Sequence, residues 1–373
     1  MTAQFEIQLI AVSVAIACAL PGVFLVLRQM AMMSDAITHT ILLGIVLGFF
    51  ITHDLNSPWL IVGAALIGVV TVWLTELLSK TRLLAEDSAI GIVFPLLFSI
   101  AIILITRYAG AVHLDTDAVL LGELAFAPFD RMIVAGIDIG PKALIITAGL
   151  VILNLGVISI FFKELKLATF DPVQAAVLGI APAVIHYGLM TLVSLTAVGS
   201  FQAVGSILVV AFMIGPPITA YLLTDDLKKM LILSALLGAF NGIAGFQLAI
   251  WLDVSIAGSM ALMTGISFLL VFIFAPDKGM LSALIRRKKQ RIEFAKMTVL
   301  FHLLNHEGSD REAREAGMDT IPKELNWDKS FTENIIKLLQ NEQRVELLDG
   351  VIKLTLSGRI DSRRQYDALF QSD

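Results

Sequence analysis

Nine stretches of about 20 mostly apolar residues govern what this chain can fold into: 5–27, 34–52, 58–79, 88–106, 141–162, 181–199, 203–223, 230–251 and 256–275. At 1.5 Å per residue, about 20 residues of α-helix cross a hydrocarbon core of about 30 Å. A helix also satisfies its own backbone hydrogen bonds there. The pattern predicts an all-α polytopic membrane protein with about nine transmembrane helices. The short link Gly199–Gln202 reads either as a turn between two spans or as a break within a re-entrant hairpin. Composition agrees, with 57% hydrophobic and 16% charged residues where soluble domains run at about 45–50% and 25%. The single cysteine, Cys18, lies inside the first span and reads as packing; disulfides and cysteine-rich metal sites are excluded. Residues 1–27 lack the basic start and small-residue cleavage site of a signal peptide, so the first span reads as a retained helix.

Charge divides the chain in two. Residues 1–284 carry 11 Lys and Arg against 17 Asp and Glu, whereas residues 285–373 carry 16 against 15, so the last quarter faces water. When the loops are assigned alternately to two sides, one side receives Arg28, Lys80, Arg82, Lys163, Lys166, Lys228, Lys229, Lys278 and the run RRKKQR (286–291). The other receives only Arg107, Arg131 and Lys142. The positive-inside rule then puts the N-terminus outside and the C-terminus in the cytoplasm. The expected organisation is a transmembrane domain over 1–280, a basic juxtamembrane linker over 281–296 suited to anionic lipid, and a cytoplasmic domain over 297–373. In the last, helices at 297–308, 321–326 and 329–345 precede a hairpin at 345–358 that turns on Asp349-Gly350; a final helix follows. That is the layout of a small winged helix.

One polar cluster interrupts the apolar pattern. In MMSDAITHT (32–40), Asp35 and His39 stand at i and i+4, one turn apart on one helix face. A carboxylate in or near hydrocarbon is costly and marks a cavity or an ion path. Carboxylate plus neutral imidazole suits Mn²⁺, Fe²⁺ or Zn²⁺ rather than soft Cu(I), and the adjacent Met32 and Met33 read as packing. The alternative is an intrahelical Asp–His hydrogen bond, with Arg28 close enough in sequence to pair with Asp35. Two ligands do not complete a metal shell, so other helices, symmetry mates or water would supply the rest.

The stretch SDAITHTILLGIVLGFF resembles the second-helix signature of permeases from the zinc/manganese/iron family of bacterial ABC importers. Three further stretches agree in order: LLAEDSAIGIVF (83–94), FKELKLATFDPVQAAVLGI (162–180) and AVGSILVVAFMIGPPITAYL (203–222). Together they cover about residues 5–275. The resemblance implies that Asp35 and His39 help to form a metal site on the permeation path. It also implies that Phe170, Asp171, Pro172, Ala175 and Gly179 belong to a cytoplasmic coupling segment. It places the chain in the bacterial inner membrane as a homodimer or paired with a paralogous permease, bound to two ATP-binding subunits and fed by an extracellular metal-binding protein.

No phosphate-binding G-x-x-x-x-G-K-[ST] loop occurs, so the chain reads as a transporter subunit that hydrolyses no ATP. Asp171 can cap a helix whose first position, Pro172, needs no N–H; a capped connector without a partner uses the same residues. Glu86 and Asp87 open the fourth span, as candidates for a cytoplasmic gate or simply as complements to the helix dipole. His186, inside the sixth span, is a weaker candidate ligand, and the loop residues His113, Asp115 and Asp117 are a further candidate for cation capture.

The segment SFTENIIKLLQNEQRVELLDGVIKLTLSGR (330–359) resembles the recognition helix and wing of the iron-dependent repressor family. Its charge is balanced, a poor footprint for phosphates, and His302 and His306 read as one helix face. A regulatory or docking role is favoured, with no nucleic acid expected. The sequence therefore points to an ATP-driven importer of a divalent metal, manganese first and zinc or iron next, working by alternating access and holding no permanent cofactor. The alternatives are a membrane-tethered, metal-responsive DNA-binding sensor and transport driven by an ion gradient.

Overall fold

The structure, a computed structural model, describes residues 2–54, 57–108, 124–134, 137–309, 312–348 and 350–370. The chain forms two compact units, Met1–Gly279 and Met280–Asp373.

In the first unit, α1 (Ala3–Leu27), α2 (Ala31–Thr52), α3 (Trp59–Lys80) and α4 (Glu86–Tyr108) precede a hairpin of β1 (Arg131–Val134) and β2 (Ile137–Pro141). Then come α5 (Lys142–Ile160), the short α6 (Phe162–Phe170) and α7 (Pro172–Val177), and the long α8 (Pro182–Leu223), α9 (Leu227–Leu252) and α10 (Ile256–Phe274). Among the described residues, eight helices are long and apolar enough to cross a membrane. The apolar stretches at 181–199 and 203–223 are not separated by a loop; both lie within α8, whose 42 residues contain one non-helical position, Gly205 at φ 78° and ψ 166°.

The chain doubles back at Gly205. Ser200 Oγ lies 3.7 Å from Cys18 Sγ, while a Cβ on Gly22, one turn further along α1, would overlap the Met213 carbonyl. On a straight helix residues 200 and 213 would stand about 20 Å apart, too far to meet adjacent turns of α1. Glycine alone adopts this positive-φ, extended geometry without cost.

Helix α1 is the core of the unit. Val14, Ala15, Ala17, Cys18, Val23 and Phe24 are all fully buried, as expected of a helix apolar on every side. Several polar groups inside the bundle satisfy one another, as expected without water. Asn154 Nδ2 donates to the Ala17 carbonyl at 2.8 Å and to Thr196 Oγ1 at 3.1 Å, and Thr71 Oγ1 donates to Thr40 Oγ1 at 2.8 Å. Helices α2 and α3 approach backbone to backbone at Gly44, where a Cβ would overlap the Gly63 carbonyl oxygen and Ala64 Cα. Gly44→Val is therefore expected to force α2 off α3 and destabilise the protein by about 1–3 kcal/mol. A lowered melting temperature in detergent, with loss of correctly folded protein, is the measurement.

The second unit comprises α11 (Met280–His306), α12 (Glu312–Glu315), α13 (Ile321–Glu324), α14 (Lys329–Asn341), β3 (Val345–Leu348), β4 (Val351–Leu354) and α15 (Leu356–Phe370). Residues 281–296 lie within the continuous helix α11. The core joins Val299, Leu300, Ile335, Ile336, Leu339 and Ile352. Lys296, nearly buried, pairs with Glu342 and Glu293. Strands β3 and β4 pair with Leu348 opposite Val351, and Gly350 takes φ 81°.

Two expectations are corrected here. The chain is mostly helical rather than all-α, since among the described residues each unit carries one small antiparallel strand pair. The hairpin of the second unit is also shorter than expected, and the unit is described by its helices and these minor strands. The expected wing reaches residue 358, but Thr355 Oγ1 accepts the Gly358 N–H at 3.1 Å and caps α15. The strands thus end at four residues each.

Candidate functional site

The first turns of α2 carry Asp35 and His39, and the helix brings them together as their spacing requires. His39 Nε2 lies 3.4 Å from Asp35 Oδ1, with the side chains 24% and 39% exposed. That gap exceeds the 2.7–3.2 Å of an ordinary N–H···O hydrogen bond. The imidazole is flanked from α4 by the rings of Phe94 and Phe98, at centroid distances of 5.1 and 6.1 Å. Met33 is buried and Met32 exposed. Among the described residues no three His, Cys, Asp or Glu side chains form a group able to hold a metal. This pair supplies at most part of a coordination shell, on a face still half open.

Arg28 does not pair with Asp35 in the described contacts. Its Nε donates to Thr169 Oγ1 at 3.1 Å and its Nη1 to His186 Nδ1 at 3.3 Å. Arginine offers no acceptor, so Nδ1 accepts and the imidazole proton sits on Nε2. That nitrogen lies 2.5 Å from Glu76 Oε1, a close contact without hydrogen-bond alignment. Tyr187 OH and Lys80 Nζ donate to Glu76 Oε2 at 2.9 and 3.1 Å. His186 is thus engaged by Glu76 and Arg28, beside a cavity of about 440 Å³ lined also by Met30, Thr75, Ser79 and Arg82. Sequence reasoning missed Glu76, although a lone carboxylate within a span is itself a signal.

The segment 162–180 forms two short helices. Asp171 Oδ1 accepts the Gln174 N–H at 2.8 Å and caps α7, with Pro172 in its first turn. Gly179, at φ 81°, ends it, and Ile180 N–H donates to the Ala175 carbonyl at 3.0 Å. Ala175 is fully buried and acts by packing, whereas Phe170, Val173, Val177 and Leu178 project outward. Together they form an exposed apolar patch on a short, capped helix. Asp87 is exposed in the first turn of α4. Glu86 opens the same helix, and its side chain, like residues 113, 115 and 117, lies outside the described residues.

Known proteins share this architecture. The ABC 3 transport family model matches residues 3–275. The chain is similar to the zinc transport system membrane protein TroD of Treponema pallidum, 42% identical over 353 residues, which is 95% of this chain and 96% of that protein. It is also similar to the manganese transport system membrane protein MntD of Bacillus subtilis, 47% identical over 294 residues, covering 78% of this chain and 99% of that one. Among solved structures, PsaBC from Streptococcus pneumoniae in complex with Fab superposes with a TM-score of 0.62 and 30% identity, covering 74% of this chain and 94% of its own. The TroD match is longer than the first unit's 279 residues and extends into the second unit. The MntD match takes in nearly all of that relative and leaves most of one unit's length unmatched.

Proposed function

Since the chain belongs to the ABC 3 transport family, as a membrane permease subunit and not an enzyme, we propose that it carries a divalent transition metal through the bacterial inner membrane, with Asp35 and His39 as its contribution to the metal site. The observation that carries this reading is that one turn of α2 brings Asp35 Oδ1 and His39 Nε2 within 3.4 Å of each other on a half-open face, a carboxylate–imidazole pair of the kind that takes such cations. The ligands still needed come from a second permease protomer facing the open side of α2, either a copy of this chain or a paralogue, and from water.

Manganese is the first cargo and zinc the second. Relatives named for each match this chain well, and Asp plus His serves both; ferrous iron is compatible with the same ligands. The exposed patch on α6 and α7 docks an ATP-binding subunit, an extracellular metal-binding protein delivers the ion, and ATP-driven movement of 162–180 alternates access. Glu86 and Asp87 stand at the cytoplasmic gate. Counting the reversal at Gly205 as the outer turn of two crossings gives nine passages, with the N-terminus outside and the C-terminus in the cytoplasm, in accord with the basic loops.

The second unit serves regulation or docking, and its helix–hairpin order is read as a reduced winged helix. DNA binding is not favoured: Lys329, at the start of α14, is held by Asp319 at 2.8 Å, and that contact lowers the Asp319 pKa. Uptake by the reconstituted complex, with Mn²⁺, Zn²⁺ and Fe²⁺ in competition, tests the reading. The expected result is ATP-dependent uptake of Mn²⁺ or Zn²⁺. Uptake that persists without any ATP-binding partner would point to an ion gradient and overturn it.

A further inference from the structure

The link between α1 and α2 is three residues long and stiff. Met30 N–H donates to the Leu25 carbonyl at 2.9 Å and Gln29 N–H to the Val26 carbonyl at 3.1 Å, around Gln29 at φ 60°. This is a Schellman closure, so a force on Arg28 moves the start of α2 instead of being absorbed by a slack loop. Asp35 lies little more than one turn into α2.

The side chain of Arg28 reaches the other way. Nε holds Thr169, which stands next to Phe170 at the end of α6, and Nη1 holds His186 near the start of α8. His186 in turn touches Glu76 on α3, which Tyr187 and Lys80 also hold. One guanidinium therefore joins the docking segment to three helices, two of which pack against α2: α3 at Gly44 and through Thr71–Thr40, and α8 through its own contacts. A fork of donors in fixed geometry can do this; a lysine, with one charged point, cannot hold both partners equally. Arg28 Nη2 is buried without a partner, which leaves a strong donor available for an acceptor in a second arrangement of these helices.

We propose that Arg28 is a positioning residue that carries movement of the α6–α7 docking segment to Asp35 and His39, and so couples ATP hydrolysis in the partner to metal movement. This rests on the permease reading above. The test uses the full complex with its ATP-binding partners in liposomes, Mn²⁺ as the probe, and uptake and ATP hydrolysis measured side by side. Arg28→Met keeps the length of the side chain, and Thr169→Val removes one hydroxyl at nearly constant volume.

The expected result is wild-type ATP hydrolysis and Mn²⁺ binding in both variants. Mn²⁺ moved per ATP falls about tenfold or more in Arg28→Met and about threefold in Thr169→Val, with Arg28→Lys between wild type and Met. A wild-type ratio in both overturns the inference. If Arg28→Met does not assemble, Thr169→Val decides alone, and a wild-type ratio there overturns it equally. A wild-type complex without ATP-driven uptake of Mn²⁺, or of Zn²⁺ in its place, overturns the permease reading itself, and the inference falls with it.

Discussion

In complexes that assemble normally, Asp35→Asn or His39→Ala is expected to lower ATP-driven metal uptake about 100-fold or more. Asparagine keeps the shape of the aspartate and loses its charge, so the change removes the anionic ligand and little else. Alanine removes the imidazole and leaves Phe94 and Phe98 facing a gap. Loss of a residue that merely orients a ligand already costs about 10–100-fold in metal affinity, and loss of a ligand from so sparse a pair should cost more. Normal ATP-subunit binding alongside lost uptake would place the defect at the metal. Unchanged uptake in either variant would make the pair structural.

The second large effect is expected at the docking patch. Val173 and Val177 are 74% and 81% exposed, so replacing both with aspartate should leave the fold of the first unit intact. If an ATP-binding subunit covers them, the change buries two unpaired carboxylates, at a cost of about 3 kcal/mol or more. Affinity for that subunit would drop at least about 100-fold. Co-purification is expected to be lost and uptake with it. Retained binding would move the interface elsewhere. Phe170→Ala, which truncates an exposed aromatic anchor, should give a smaller loss of about 2 kcal/mol.

What the sequence made legible follows from the physics of each feature. Span length and apolarity are first-order consequences of the bilayer, and the helices at 5–27, 34–52 and 58–79 appear within a few residues of their expected limits as α1 to α3. The Asp35–His39 pairing is local, fixed by helix geometry. Other features depend on the third dimension. That Glu76 meets His186 across 110 residues, or that Ala175 of α7 faces inward, cannot be read from spacing. The break in α8 was expected around 199–202 but lies at Gly205, because a helix tolerates Gly199 and Gln202 while the bundle decides where the chain must reverse. Thr355 reads equally well as the end of a strand or the cap of a helix, and the hydroxyl bond to Gly358 decides for the cap.

Anomalous scattering from Mn²⁺ in crystals of the assembled complex tests the central claim most directly. The account predicts a peak between Asp35 and His39, about 2.1–2.2 Å from a carboxylate oxygen and an imidazole nitrogen, completed by ligands from the facing protomer or water. A peak at Glu76 and His186 instead, with Asp35 and His39 bonded to each other, would contradict it.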